Sequence, residues 1–386
     1  MTPNSGMFAP ATAPAKSSSA TAAVFCPTWR VGAQHRAASR LVCFALILAA
    51  VGLSNIGAQV WGLTSALETA RPVAAAEPLE VAAALHRGGA TALVQGHLND
   101  LERRLFDDAA NGQLEQHSLL AAALVAGGVD SPEVLHRFQR RLDKYVEELQ
   151  PSHTSTDNRR DRLEAVFDFL HRRILHAGYR IECTDLRSVL DHGCFNCVSA
   201  SVLFQYLAEQ YGFQVCALEM PGHAMSRVYL PEGPIDVETT CAAWFRLMDD
   251  PKRQAQLVRD TLGTTLPTGY ADAREVSNVG LVAMIYYNRG VELLAQGRYA
   301  EAAVANAKAL HLDPGNQTAR GNLLATLNNW AIALGQAGYL DEAMAMLRAG
   351  LNLEPAYEPF TRNYAHLHHQ QAKQPASDGL SLHREP

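Results

Sequence analysis

The stretch HGCFNCVSASVLFQYLAEQYG, His192 to Gly212, constrains the chain more than any other segment. Two cysteines three residues apart stand directly before a long apolar helix. Its buried face is Val198, Val202, Leu203, Tyr206 and Leu207, and Gly212 is its stop. A CxxC pair can hold zinc, shuttle a disulfide or flank one nucleophilic thiol, and the neighbouring sequence weighs between these. Upstream, residues 157–177 repeat Leu163, Val166, Phe167, Leu170, Ile174 and Leu175 at three- and four-residue steps, one stripe of a helix. Downstream, QVCALEM, HAMSRVYL and, after the turn PEGP, IDVETT read as strands. The order is helix, Cys-bearing helix, strand, strand, turn, strand.

The 386 residues allow two or three domains, and 48 % apolar residues suffice for a sizeable core. A net charge of −6 argues against a nucleic-acid partner, which needs a basic face. There is no Walker loop, no GxGxxG after a strand and no HExxH, so phosphate cradles and the common zinc-protease motif are excluded.

Residues 1–40 form a Pro-, Ala- and Ser-rich leader with Arg30, Arg36 and Arg40 near its end, expected to be disordered. The uncharged run 41–63 is long enough to span a bilayer, and its basic flank lies on the N-terminal side. A cleaved signal peptide and a buried soluble helix compete with a retained signal anchor. Ile56-Gly57-Ala58 makes a poor cleavage site, so the expectation is a transmembrane anchor with the rest of the chain exported, on the periplasmic or extracellular side of a bacterium. Residues 79–155 read as a helical spacer, with Ser131-Pro132 opening its second stretch as N-cap and first helical residue.

From Leu281 the chain repeats itself. Gly297 aligns with Gly338, Ala302 with Ala343 and Pro314 with Pro355, a shift of 41 residues. Small residues at Gly290, Ala302 and Ala309, Tyr299 and a closing Pro resemble tetratricopeptide repeats, whose usual period is shorter. Residues 357–371 read as a capping helix, and the HLHHQQ run His366 to Gln371 as its solvated face. The boundaries are therefore leader 1–40, anchor 41–63, helical region 79–155, central domain 156–278, repeats 279–371 and tail 372–386.

Asn196 is placed to cap the helix that Cys197 opens. A thiol in a first helical turn faces free amide groups and the positive end of the helix dipole, which favour the thiolate. Cys194 lies outside the helix and lacks this placement. His223 begins the second strand and is the candidate base. If the hairpin turns around Glu232-Gly233, Glu238 faces Arg227 and Asp236 faces Tyr229 on the sheet face of His223. Glu238 is then four positions from His223 and Asp236 six, so Glu238 is the first candidate acid and Asp236 the alternative.

These residues carry a resemblance. The stretch from about Arg159 to Thr240 resembles the transglutaminase-like cysteine-enzyme superfamily, in which a Cys opens a helix, a His begins a strand and an acid closes the next strand. Cys197 in FNCVSAS, His223 in PGHAMSRVYL and Glu238 in VETT take those places; Val198 stands where an aromatic often follows the nucleophile, and Glu stands for Asp. The joined repeats are similar to those of bacterial members. The resemblance implies an α+β fold: a papain/transglutaminase-like core with the Cys-bearing helix on a small antiparallel sheet, an N-terminal membrane helix, a helical spacer and a C-terminal α-helical repeat module. It implies a thiol enzyme attacking a peptide or carboxamide carbonyl through an acyl-enzyme, as peptidase, amidase or acyltransferase. No cofactor or metal is implied. The partners are a protein or peptide substrate, a protein on the repeats and the membrane.

Other readings stand beside this one. The same fold without activity makes a transglutaminase-like/repeat scaffold for protein–protein interaction. Cys194 and Cys197 make a redox pair, or Cys183, His192, Cys194 and Cys197 a zinc site. Five cysteines at 183, 194, 197, 216 and 241 leave at least one thiol outside any intrachain disulfides, compatible with a free Cys197.

Overall fold

The computed structural model describes residues 76–153, 158–262 and 273–373. Four helices come first: α1 (Ala76–Gln95), α2 (Asp100–Asp108), α3 (Leu119–Ala126) and α4 (Pro132–His153). Asn99 opens α2 with a reciprocal capping box: its side chain accepts from Glu102 N at 2.9 Å, and its own N–H donates to the Glu102 carboxylate at 3.2 Å. The sequence of α3, LLAAALVA, has no polar face, so the helix lies where every side is covered, and all its residues are buried. It packs on α2 and α4 and on elements of the central domain and the C-terminal helices.

The central elements are α5 (Arg159–Arg173), α6 (Leu186–His192), α7 (Cys197–Gln210), β1 (Gln214–Met220), β2 (His223–Leu230), β3 (Gly233–Val237), α8 (Pro251–Leu262) and β4 (Arg274–Val276). The strands form one antiparallel sheet in the order β3-β2-β1-β4. Helix α7 lies against β1 and β2, and α5 packs on α7. The expected α5 stripe is the buried one: Leu163, Val166, Phe167, Leu170, Ile174 and Leu175 are at most 4 % exposed. This Cys-bearing helix on a small antiparallel sheet is an α+β core.

Two helical hairpins follow, α9 (Asn278–Ala295) with α10 (Tyr299–Leu312) and α11 (Gln317–Gln336) with α12 (Leu340–Leu353), then α13 (Glu358–Lys373). Gly297 and Gly338 turn the hairpins at φ 71° and 88°, backbone that favours glycine. Helix α1 packs on α10 and α12, so the N- and C-terminal helices form one layer. A buried ion pair joins them: Lys308 on α10 contacts both Glu102 carboxylate oxygens at 2.7 Å. His366, His368 and His369 are exposed on α13 while Leu367 is buried.

The expected N-terminal membrane helix is corrected. Among the described residues no helix is long and apolar enough to cross a membrane. The wholly apolar α3 is only 8 residues long, and the apolar first half of α9 gives way to Asn288, Arg289 and Glu292. Segment 41–63 lies outside the described residues, as does leader 1–40. Membrane attachment, the signal anchor and the exported localisation are therefore not carried forward.

The β2–β3 register also differs from expectation. Arg227 stands opposite Asp236 and Leu230 opposite Gly233, so the turn is Pro231-Glu232, one residue earlier than the centre expected from PEGP. Pro231 has no N–H to give a ladder and sits in the turn, and Gly233 begins β3 at φ 131°. The shift moves Glu238 two positions closer to His223.

Candidate functional site

The loop before α7 is built around Asn196. In extended backbone it accepts from the amides of Val198 and Ser199, each at 3.0 Å, and its Nδ2 donates to Ile181 O at 3.0 Å and Thr184 Oγ1 at 2.7 Å. Ser199 Oγ donates to Cys183 O at 2.8 Å. A disulfide joins Cys183 to Cys194 and staples this loop. Cys197 thus occupies the first turn of a doubly capped helix as a free thiol, 8 % exposed.

That pairing corrects the alternatives. A Cys194–Cys197 redox pair is not formed, because Cys194 is bonded to Cys183. The same bond removes two of the four proposed zinc ligands, and no described group of three or more His, Cys, Asp or Glu side chains is placed to hold a metal ion.

His223 follows Gly222, whose φ of 73° turns the chain from β1 into β2. Its Nε2 lies 2.6 Å from Glu238 Oε2. A carboxylate only accepts, so Nε2–H donates and Nδ1 is the nitrogen left for a second partner. The other Glu238 oxygen accepts from Thr240 N at 3.0 Å and Thr240 Oγ1 at 2.6 Å. The His223 side chain is 8 % exposed and that of Glu238 0 %. Burial works against the imidazolium, but the Glu238 charge, the Cys197 and Glu238 hydrogen bonds and the Cys197 charge outweigh it and push His223 up to about 10. Burial also opposes the Glu238 carboxylate; the His223 charge and the bonds from His223 and Thr240 outweigh it and hold Glu238 below its usual value.

Cys197, His223 and Glu238 are therefore brought together, and Asp236 is not. Asp236 is bound by Arg227, Nε to Oδ1 at 2.6 Å and Nη2 to Oδ2 at 2.9 Å, and Arg227 continues to Glu275 at 2.7 Å. These lie toward the far end of β2. Chemically, a thiol beside an imidazolium held by a carboxylate is an arrangement that activates a sulfur nucleophile.

Two further residues belong to this neighbourhood. His171 on α5 packs its ring 4.6 Å from that of Phe167, and its Nε2 is buried with no hydrogen-bond partner. Burial, aided by the Arg246 charge, outweighs a Thr239 backbone hydrogen bond and the Glu238 charge, and holds His171 down to about 4. The only sequence signal for it is its spacing four residues after Phe167 on a buried helix. Tyr287 on α9 donates to Glu219 Oε1 at 3.5 Å, and Glu219 also accepts from Asn316 Nδ2 at 2.9 Å and from Arg274. Burial, the Glu219 charge and the Cys197 charge push Tyr287 well above its ordinary value. No local sequence motif marks Tyr287, because it arrives from a helix ninety residues after Cys197.

Residues 136–262 match the family model of the transglutaminase-like superfamily. A transglutaminase-like domain is present there. It takes in α4 through α8 and holds Cys197, His223 and Glu238. No curated protein and no solved structure matches the chain.

The reading of the whole chain as a membrane-anchored, exported thiol enzyme is corrected at this point. No described helix crosses a membrane. The transglutaminase-like domain keeps its thiol, imidazole and carboxylate buried.

Proposed function

We propose that the protein is a transglutaminase-like/repeat scaffold for protein–protein interaction. The observation that carries this reading is burial: Cys197 is 8 % exposed and the side chains of His223 and Glu238 are 8 % and 0 % exposed, with α9 packed against α7. In this arrangement the described residues cover most of the sulfur and of its imidazole partner. The buried group serves the fold by joining the Cys197 helix to the β2–β3 hairpin. The helical hairpins, similar to tetratricopeptide repeats, offer surface for a protein partner.

A second reading is favoured by one observation, the order thiol, imidazole, carboxylate. On it the domain is a thiol hydrolase or acyltransferase: Cys197 attacks a carbonyl, His223 moves the proton, and Glu238 orients His223. Alkylation of the folded full-length protein by iodoacetamide, mapped by mass spectrometry, separates the two. The scaffold reading expects Cys197 to react more slowly than the part-exposed Cys216, and Cys197→Ala to leave partner association unchanged. Fast native alkylation of Cys197 that is lost in His223→Ala overturns it in favour of the enzyme.

A further inference from the structure

The sequence of α4 carries a pattern that the buried group does not use. Arg137, Arg140, Arg141 and Lys144 recur at i, i+3, i+4 and i+7, the spacing of a single helix face. They form a basic stripe in a chain whose net charge is −6. Like charges at these spacings repel one another. Among the described residues only Arg141 meets an acid: it binds Asp191 Oδ1 at 2.6 Å and the carbonyl of Leu190. Among the described residues Arg137, Arg140 and Lys144 have no ion-pair partner, and all are exposed. Arg137 instead lies over the Phe138 ring, 5.0 Å from its centre.

The stripe lines a concavity. With Phe138 and Asp191 these cations border an open groove of about 600 Å³ between α4 and the end of α6. Arg140 also borders a second groove of about 290 Å³ that reaches Tyr206 on α7. The two grooves share Arg140, and the second also carries Asp143 and His136.

We propose that this basic groove binds an extended acidic peptide segment of a protein partner, with Asp or Glu at alternate positions. The proposal rests on the scaffold reading and gives its partner a chemistry. Alternate side chains of an extended chain project to one side about 7 Å apart, close to the about 5–6 Å between neighbours on the helix stripe. From Arg137 to Lys144 the helix rises about 10 Å, room for two or three such carboxylates. Guanidinium groups grip carboxylates with paired donors, and Arg137 and Arg140 have theirs free for it. The overall negative charge weighs against a nucleic acid or an anionic bilayer, which meet the whole field of the protein rather than one groove.

Fluorescence anisotropy of a labelled Gly-Glu alternating octapeptide against the full-length protein tests this, with a Gly-Gln octapeptide as control. The expected result is saturable binding of the Glu peptide alone, weakened about tenfold or more by R140Q/K144Q and by raising salt from about 50 to about 200 mM. R253Q, on α8 and lining neither groove, leaves it unchanged. The glutamine variants keep helix-forming side chains, and circular dichroism checks their fold; K144Q alone gives a second variant. No saturable binding, equal binding by R140Q/K144Q, or tighter binding of phosphatidylserine vesicles or single-stranded DNA through these residues overturns the proposal. Each of these outcomes leaves the Cys197 alkylation result, on which the scaffold reading stands, unaffected.

Discussion

Glu238 holds His223 across the β2–β3 hairpin at 2.6 Å, with both side chains sealed from solvent. A buried pair of this kind is costly to break from one side, because the remaining charge or donor keeps its desolvation without its partner. Glu238→Gln preserves the shape and the Thr240 contacts but removes the charge that raises His223 most. The expected outcome is a fall in the His223 titration midpoint from about 10, followed by NMR of the ring protons. Glu238→Ala also opens a cavity and leaves Thr240 Oγ1 unpaired, and is expected to lose about 3–5 kcal/mol in urea unfolding. An unchanged His223 midpoint in Glu238→Gln contradicts the pairing.

The titrations give stability a peak in pH. His223 is raised from 6.5 to about 10, so its contribution is full below pH 6.5 and is lost as pH rises to about 10. His171 is lowered from 6.5 to about 4, so the folded state resists a proton that the unfolded chain accepts, and stability falls as pH drops from 6.5 toward 4. Glu238, held below 4.5, adds to the acid loss below that value, and Cys241, pushed up from 9.0 to about 12 by burial, adds to the alkaline loss above pH 9. Denaturant midpoints across pH are expected to peak near pH 6.5. His171→Gln should flatten the acid limb and Glu238→Gln the alkaline limb; a profile that neither variant alters refutes this assignment.

Much of this arrangement is legible in the residues, and the gaps have physical reasons. The α5 stripe and the α7 cap are local, so helical spacing and the Asn196 side chain reveal them. His223 and Glu238 are legible as companions of Cys197 from strand order, hairpin register and family resemblance together, and the distance between them depends on a turn. Pro231 and Gly233 bracket one turn in PEGP and allow two, and the choice between them moves Glu238 by two positions. The Cys183–Cys194 bond is not legible, since cysteine spacing never determines connectivity. Neither is β4, whose three residues lie more than fifty positions beyond β1. The packing of α9 on α7 is not legible either, since no pattern within either helix announces that contact.

The Lys308–Glu102 pair ties the N-terminal helices to the hairpins, with Tyr286 donating to Glu102 Oε1 at 3.1 Å. Burial lowers the lysine against the pull of the Glu102 charge and hydrogen bond. Lys308→Met leaves a carboxylate buried among apolar side chains and is expected to lose about 3–5 kcal/mol. Adding Glu102→Gln removes the orphaned charge and keeps one acceptor oxygen, for either Tyr286 or Asn99, so the double variant should recover part of the loss. Chemical denaturation of the wild type, the two single variants and the double variant closes the cycle; strictly additive losses rule out a coupling between these residues.

Glycines in the helical hairpins give a test with opposite signs. A Cβ on Gly350 would stand 2.5 Å from the ring of Phe360, which is 0 % exposed and has no room to withdraw. A Cβ on Gly321 would meet nothing within 4 Å, on the exposed side of α11. Alanine gains up to about 1 kcal/mol over glycine in a helix interior, whereas overpacking a tight core loses about 1–3 kcal/mol. Gly321→Ala should therefore raise the melting temperature, and Gly350→Ala should lower it by displacing α13 from α12. Hydrogen exchange makes the second effect local: amides of α13 should lose protection in Gly350→Ala while those of the β1–β2 ladder keep theirs. If Gly350→Ala is instead stabilised like Gly321→Ala, Phe360 does not seal the α12–α13 contact.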